Sequence, residues 1–117
     1  MVRPEAIDYL EAGLRAASLR QTVIANNIAN LNTPGFRRAE VQFENLLAKA
    51  LRSGGDVRPQ DIRPLVVKAA SAAVGPNGSN VDLDTEVGEL IKNSMLTKTY
   101  FRLLGKLMQQ MELAIQP

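Results

Sequence analysis

Histidine, cysteine and tryptophan are all missing from this chain of 117 residues. Their absence removes the commonest general base, the thiol nucleophile and most zinc sites, and no disulfide contributes to stability. Aromatic residues make up only 4% of the sequence, too few for the stacking platforms on which single-stranded nucleic acids are read. A dominant charge is lacking as well: 14 basic against 12 acidic residues leave a net +2, which is no field for gathering polyanions. No apolar run approaches the roughly 20 residues that a membrane-spanning helix needs. The opening MVRPEAIDYLEAGLRAA has early acids and no continuous apolar stretch, unlike a cleavable secretory signal. These gaps point away from catalysis, cofactors, metals, nucleic acid and transmembrane segments. They leave one modest domain, or long elements completed by partners.

What is present is helical periodicity at both ends. Over residues 5–31, Ile7, Leu10, Leu14, Ala17, Gln21, Ile24, Ile28 and Leu31 recur at alternating spacings of three and four. That is a coiled-coil seam with Gln21 as its polar member. Pro4 suits the first helical position, where a missing N–H is not needed. A helix of this length is about 40 Å long and must lie against another. Residues 83–115 carry a matching seam of Val87, Leu90, Ser94, Thr97, Phe101, Leu104, Met108, Met111 and Ile115. An offset seam of Leu96, Tyr100, Leu103, Leu107 and Ala114 broadens its apolar face, so this helix needs a second neighbour. Asp82 stands at the N-cap position, and Asp84 and Glu86 suit the positive end of the helix dipole. Gly88 and Gly105 interrupt the helix and suggest close approach of another backbone.

The middle, residues 32–82, reads as extended or flexible. FENLLAKALR (43–52) is a short amphipathic stretch, SGGDVRPQDIRP (53–64) a loop, and LVVKAASAAV (65–74) a short strand or extended segment. The fold expected is therefore mainly α, with long N- and C-terminal helices pairing as a coiled coil within a single domain of residues 1–117.

The most unusual stretch is ANNIANLNTPGFRR (25–38). Asn26 and Asn30 sit four apart on one helical face, and Asn27 lies beside the Ile24/Ile28 seam. Each amide both donates and accepts, which suits bonding to the backbone of a crossing chain. Pro34 pushes Thr33 out of the helical region, and Pro34-Gly35 fits the centre of a type II turn. On spacing alone a helix end with incidental asparagines remains an equal reading.

The ordered set Ala25, Asn27, Ile28, Ala29, Asn30, Thr33, Pro34, Gly35 and Phe36 resembles the N-terminal signature of the bacterial flagellar rod and hook family. RRAEVQFENLL and NGSNVDLDTEVGEL are similar to stretches of its short proximal-rod members, with Asn77, Ser79 and Val87 departing from the pattern. The resemblance covers residues 5–50 and 76–116. It implies a structural, non-enzymatic subunit of the basal-body rod that polymerises through coiled-coil packing in the periplasm. It implies that Ala25 to Asn30 and Thr33 to Phe36 pack at a subunit junction. The partners implied are other rod subunits, copies of the chain itself, a base adaptor, a membrane-embedded ring and the flagellar type III export apparatus. The spacing of Phe43 and Leu47 resembles that family's export-gate element, and two core-facing residues one turn apart would look the same. A cytoplasmic helical-hairpin adaptor or nucleic-acid-binding module is the competing class.

Overall fold

A computed structural model describes residues 4–54, 57–69, 75 and 78–116. Helix α1 runs Pro4–Ala29, strand β1 Ala39–Gln42, helix α2 Glu44–Arg52, a 3-10 turn Pro59–Asp61, strand β2 Leu65–Lys68, and helix α3 Leu83–Ala114. The molecule measures 66 × 27 × 15 Å, a rod built on α1 and α3 with a small layer on one side. The mainly helical architecture expected from the sequence is the one observed.

Helix α1 is rich in alanine, the best helix former, and Glu5 sits in its first turn. It closes at Ala29, two residues before Leu31, where Asn30, Leu31 and Asn32 form a turn. The type II turn is present: Gly35 has φ +76, and Phe36 N–H donates to Thr33 C=O at 3.2 Å.

The middle is more regular than expected. Within residues 43–52, Glu44–Arg52 form a true helix, and β1, which the sequence reading missed, pairs antiparallel with β2 in the register Ala39↔Lys68 to Gln42↔Leu65. Along β1 burial alternates, with Ala39 and Val41 facing in, as one pleated face on a core requires. Residues 57–64 are fixed by Pro59 and Ile62, both buried. The part of the expected 65–74 segment beyond Ala69 lies outside the described residues, as does part of the 53–64 loop.

One hydrophobic cluster and one helix pair hold the fold. Phe43, 1% exposed, packs with Ala12, Ala16, Ala50 and Ile62, and Tyr9, Leu46 and Leu47 border them. This places α2 and the 3-10 turn on one face of α1. The other face of α1 meets α3, the most extensive contact in the molecule.

That contact keeps the expected α1 seam at Ala17 and Ile24 and corrects it elsewhere. The most buried positions of α1 are Ala12, Ala16, Ala17, Ile24 and Asn27, whereas Ile7, Leu10 and Leu14 are half-buried and Gln21 is exposed. In α3 only Glu86 and Asn93 are fully buried, while Val87, Phe101, Met108, Met111 and Ile115 lie exposed. Leu90 and Leu104 are half-buried. The reason is that α1 carries two neighbours. Its small residues are consumed by close approach on both sides, so the larger seam residues fall at the margins of the helix pair. Gly88 and Gly105 face open space, and the close approach occurs at Gly13, where a Cβ would stand 2.6 Å from the Tyr100 ring.

Candidate functional site

The helix pair is joined by three rungs, two polar and one a tyrosine ring packed on a glycine. Asn27 meets Glu86, Arg20 meets Asn93, and Gly13 lies under Tyr100. Successive rungs are seven residues apart on each helix, in antiparallel sense, the period at which one face of a supercoiled pair recurs. A slip of one turn would remove all three together.

The rung at Asn27 is the centre of a buried polar knot. Asn27 is fully buried, and its side-chain amide pairs with Ala39 at both backbone groups: Oδ1 accepts from Ala39 N–H at 2.9 Å, and Nδ2 donates to Ala39 C=O at 2.9 Å. The same Nδ2 donates to Glu86 Oε2 at 3.2 Å. Glu86, also fully buried, accepts from Arg38 Nε at 2.5 Å. Arg38 reaches Glu40 with Nη1, and its backbone N–H donates to Asn80 Oδ1 at 2.6 Å. Burial alone would make the Arg38 guanidinium easier to deprotonate, but its hydrogen bonds to Glu86 and Glu40 outweigh that and its pKa is raised. Among the described residues every buried side-chain polar atom has a partner, the condition under which a buried network specifies structure rather than weakening it.

The knot continues along the backbone. Asn80 N–H donates to Phe36 C=O at 3.2 Å and Gly35 N–H to Gly78 C=O at 3.1 Å. Gly78, at φ +82, approaches the Pro34-Gly35 turn so closely that an added Cβ would lie 3.2 Å from Gly35 N. The Thr-Pro-Gly turn is thereby clasped by the segment leading into α3. Asp82 occupies the N-cap position without a side-chain cap bond; its carboxylate accepts from the Thr85 hydroxyl at 2.8 Å instead.

At the second rung Arg20 ties four elements together. Nη1 donates to Asn93 Oδ1 at 3.3 Å, and Nη2 donates to Val41 C=O at 3.1 Å and to Glu44 Oε2 at 2.8 Å. Asn93 in turn donates to Ala17 C=O at 2.9 Å and to Gln21 Oε1 at 3.4 Å. At the third rung burial raises the Tyr100 phenol above its ordinary value near 10.0; Glu44 adds to the rise and Arg20 opposes it.

The motif residues thus divide. Asn27 acts within its own chain, and its amide is fully occupied there, so it does not cross to a neighbouring backbone as the sequence reading expected. Asn30, half-buried, donates to Asn26 C=O at 2.8 Å in its own helix. Ala25, Asn26, Ala29, Thr33, Pro34 and Gly35 are exposed, with Ile28 and Phe36 half-buried. Phe43 and Leu47 belong to the core and its border. The reading missed Arg20, Arg38, Asn80, Glu86 and Asn93. A polar heptad, Glu86-Asn93-Tyr100 facing Gly13-Arg20-Asn27, was the available signal.

A family model described as "Flagella basal body rod protein" matches residues 7–37, the span that holds all three α1 rungs and the turn. The flagellar basal body rod protein FlgB of Borreliella burgdorferi is 33% identical over 109 residues, covering 78% of this chain and 81% of that protein. The protein of the same description from Bacillus subtilis is 35% identical over 98 residues, 76% of each chain. The flagellar basal-body rod protein FlgG of Agrobacterium fabrum is 35% identical over 81 residues, 69% of this chain but 27% of that protein.

Proposed function

This chain belongs to the flagellar basal-body rod protein family and is a structural subunit of the rod, and on that premise we propose that it builds the proximal part of the shaft by side-to-side helix packing. Its place is the flagellar basal body, and its family is a structural one rather than a family of enzymes. The similarity to relatives described as FlgB, extending over most of both chains, supports the proximal position. The observation that carries polymerisation is the apolar surface left uncovered on α3. Val87, Ile91, Met95, Phe101, Met108 and Ile115 are 41–83% exposed on one helix, more apolar surface than a lone soluble subunit commonly shows.

Other rod subunits are the partners of that surface, and the base adaptor and membrane-embedded ring are its expected neighbours at the foot of the shaft. The exposed corner formed by Ala25, Asn26, Ala29 and Thr33 to Gly35 remains the candidate for a junction between subunits, with Asn27 as the internal brace that holds its shape. Export runs through the flagellar type III apparatus. Phe43 would be read there only in the unfolded chain, because folding buries it and leaves Leu47 half-buried at its side. A cytoplasmic adaptor or nucleic-acid-binding role is not favoured by the relatives. Deleting the gene should abolish swimming and leave basal bodies without a complete rod by electron microscopy. Normal basal bodies in the deletion strain would refute the assignment.

A further inference from the structure

Beside the polar rungs, α1 and α3 enclose a groove of about 890 Å³ lined by Leu14 and Ala17 from one helix and Leu90, Ile91, Ser94 and Phe101 from the other. Ile91 and Phe101, 57% and 60% exposed, stand on α3 along it. Leu14, Ala17, Leu90, Ser94 and Phe101 are members of the two seams that the heptad pattern laid out. Seams of paired helices that converge on a groove rather than on each other mark the place of a third helix.

Among the described residues one helical segment is fit to fill it. Helix α1 is enclosed between α3 and the middle layer, and α2 turns Leu46, Leu47 and Ala50 into the core. The end of α3 is different: residues 108–116 are exposed on every side. There Met108, Met111 and Ile115 continue the seam as a stripe 38–83% exposed. Methionine adapts well to an irregular apolar groove. Lys98 on the groove and Glu112 beside the stripe are of opposite charge.

We propose that the distal end of α3 from a second copy of this chain seats in the α1–α3 groove, with Met108, Met111 and Ile115 against Leu14, Leu90 and Phe101. This deepens the rod reading and rests on it. Groove and stripe are different surfaces of one molecule, so the contact is head-to-tail and generates an open-ended series rather than a closed dimer.

The absence of cysteine permits a direct test on the purified full-length protein. Ser94→Cys marks the groove and Met111→Cys the stripe. Within one chain the two positions are 17 residues apart on α3, about 26 Å along a helix, beyond any intramolecular disulfide. Under mild oxidation the double variant should give a ladder of covalent oligomers. A mixture of the two single variants should stop at dimers, and each single variant alone should stay monomeric. Absence of the ladder overturns the proposal. So does self-linking of Met111→Cys at the level of the mixture, which means like-to-like packing, and so does trapping of Ser94→Cys in basal bodies on a different rod protein. Complementation of a rod-gene deletion separates the two levels: restored swimming without a ladder leaves the rod assignment intact and refutes the docking, whereas no restoration refutes the rod assignment itself.

Discussion

Asn27 and Asn30 lie three residues apart in one asparagine-rich motif, yet their substitution by alanine should have very different effects. Asn27→Ala removes three hydrogen bonds from a fully buried site. It strands both backbone groups of Ala39, itself 8% exposed, and withdraws a donor from the buried Glu86. With two buried groups left unpaired at about 1–3 kcal/mol each, the expected loss is about 2–6 kcal/mol. That is a large fraction of the roughly 5–15 kcal/mol that holds a single domain together. Asn30→Ala loses its bonds to Asn26 and to the Thr33 hydroxyl, all of them on an exposed face, where water replaces them, so the expected loss is below about 1 kcal/mol. Urea unfolding of the two purified variants, followed by far-ultraviolet circular dichroism, measures both losses against the wild type, and unchanged slopes would license the comparison. Equal losses, or a loss below about 1 kcal/mol for Asn27→Ala, would refute the view that the motif's energy is concentrated inside the subunit.

Other consequences are open to the same measurements. Phe43→Ala should cost about 3–5 kcal/mol by leaving a cavity among Ala12, Ala16 and Ile62, and a loss near that of an exposed leucine would remove Phe43 from the core. Glu86→Ala leaves Arg38 buried without its main counter-charge and should cost roughly 3–5 kcal/mol, read from the same urea curves; a near-neutral result would mean that the pair is solvated. The Tyr100 phenol is raised in the folded state, so above the ordinary value the unfolded chain binds fewer protons than the folded one. Stability should therefore be level up to about pH 10 and fall as pH rises further, an effect that Tyr100→Phe should diminish. Gly13→Leu should displace the Tyr100 ring and return its phenol toward the ordinary value, measured by ultraviolet titration against Tyr100→Phe to exclude Tyr9.

The two long helices were legible because each repeats a 3.6-residue pattern over many turns and each is punctuated at its boundary: Pro4 at one start, Pro34-Gly35 beyond one end, Asp82 at the other start. Strand β1 was not, because its four residues AEVQ carry one strong β-former, Val41, and their pairing is fixed by contacts from far along the chain: Asn27 on one side and β2 on the other. The seams were read correctly as apolar stripes, but as the line of contact they hold only in part, at Ala17 and Ile24. Periodicity reports which face of a helix is apolar, but it cannot tell which neighbour covers that face, and along α3 much of it is left exposed within this chain. The polar rungs escaped notice because buried polar residues carry no hydrophobic signal. Glu86 reads as a charge at a helix start until Arg38 and Asn27 are seen to surround it.

The rungs also impose an order in time. Asn27 and Glu86 are separated by 59 positions, Arg20 and Asn93 by 73, so each bond joins residues made far apart in time. While the ribosome is still adding α3, Asn27 and Arg38 have no Glu86 to meet, and closing loops of this length is slow. Neither rung can close until α3 has been made, so the α1–α3 register is fixed late in synthesis.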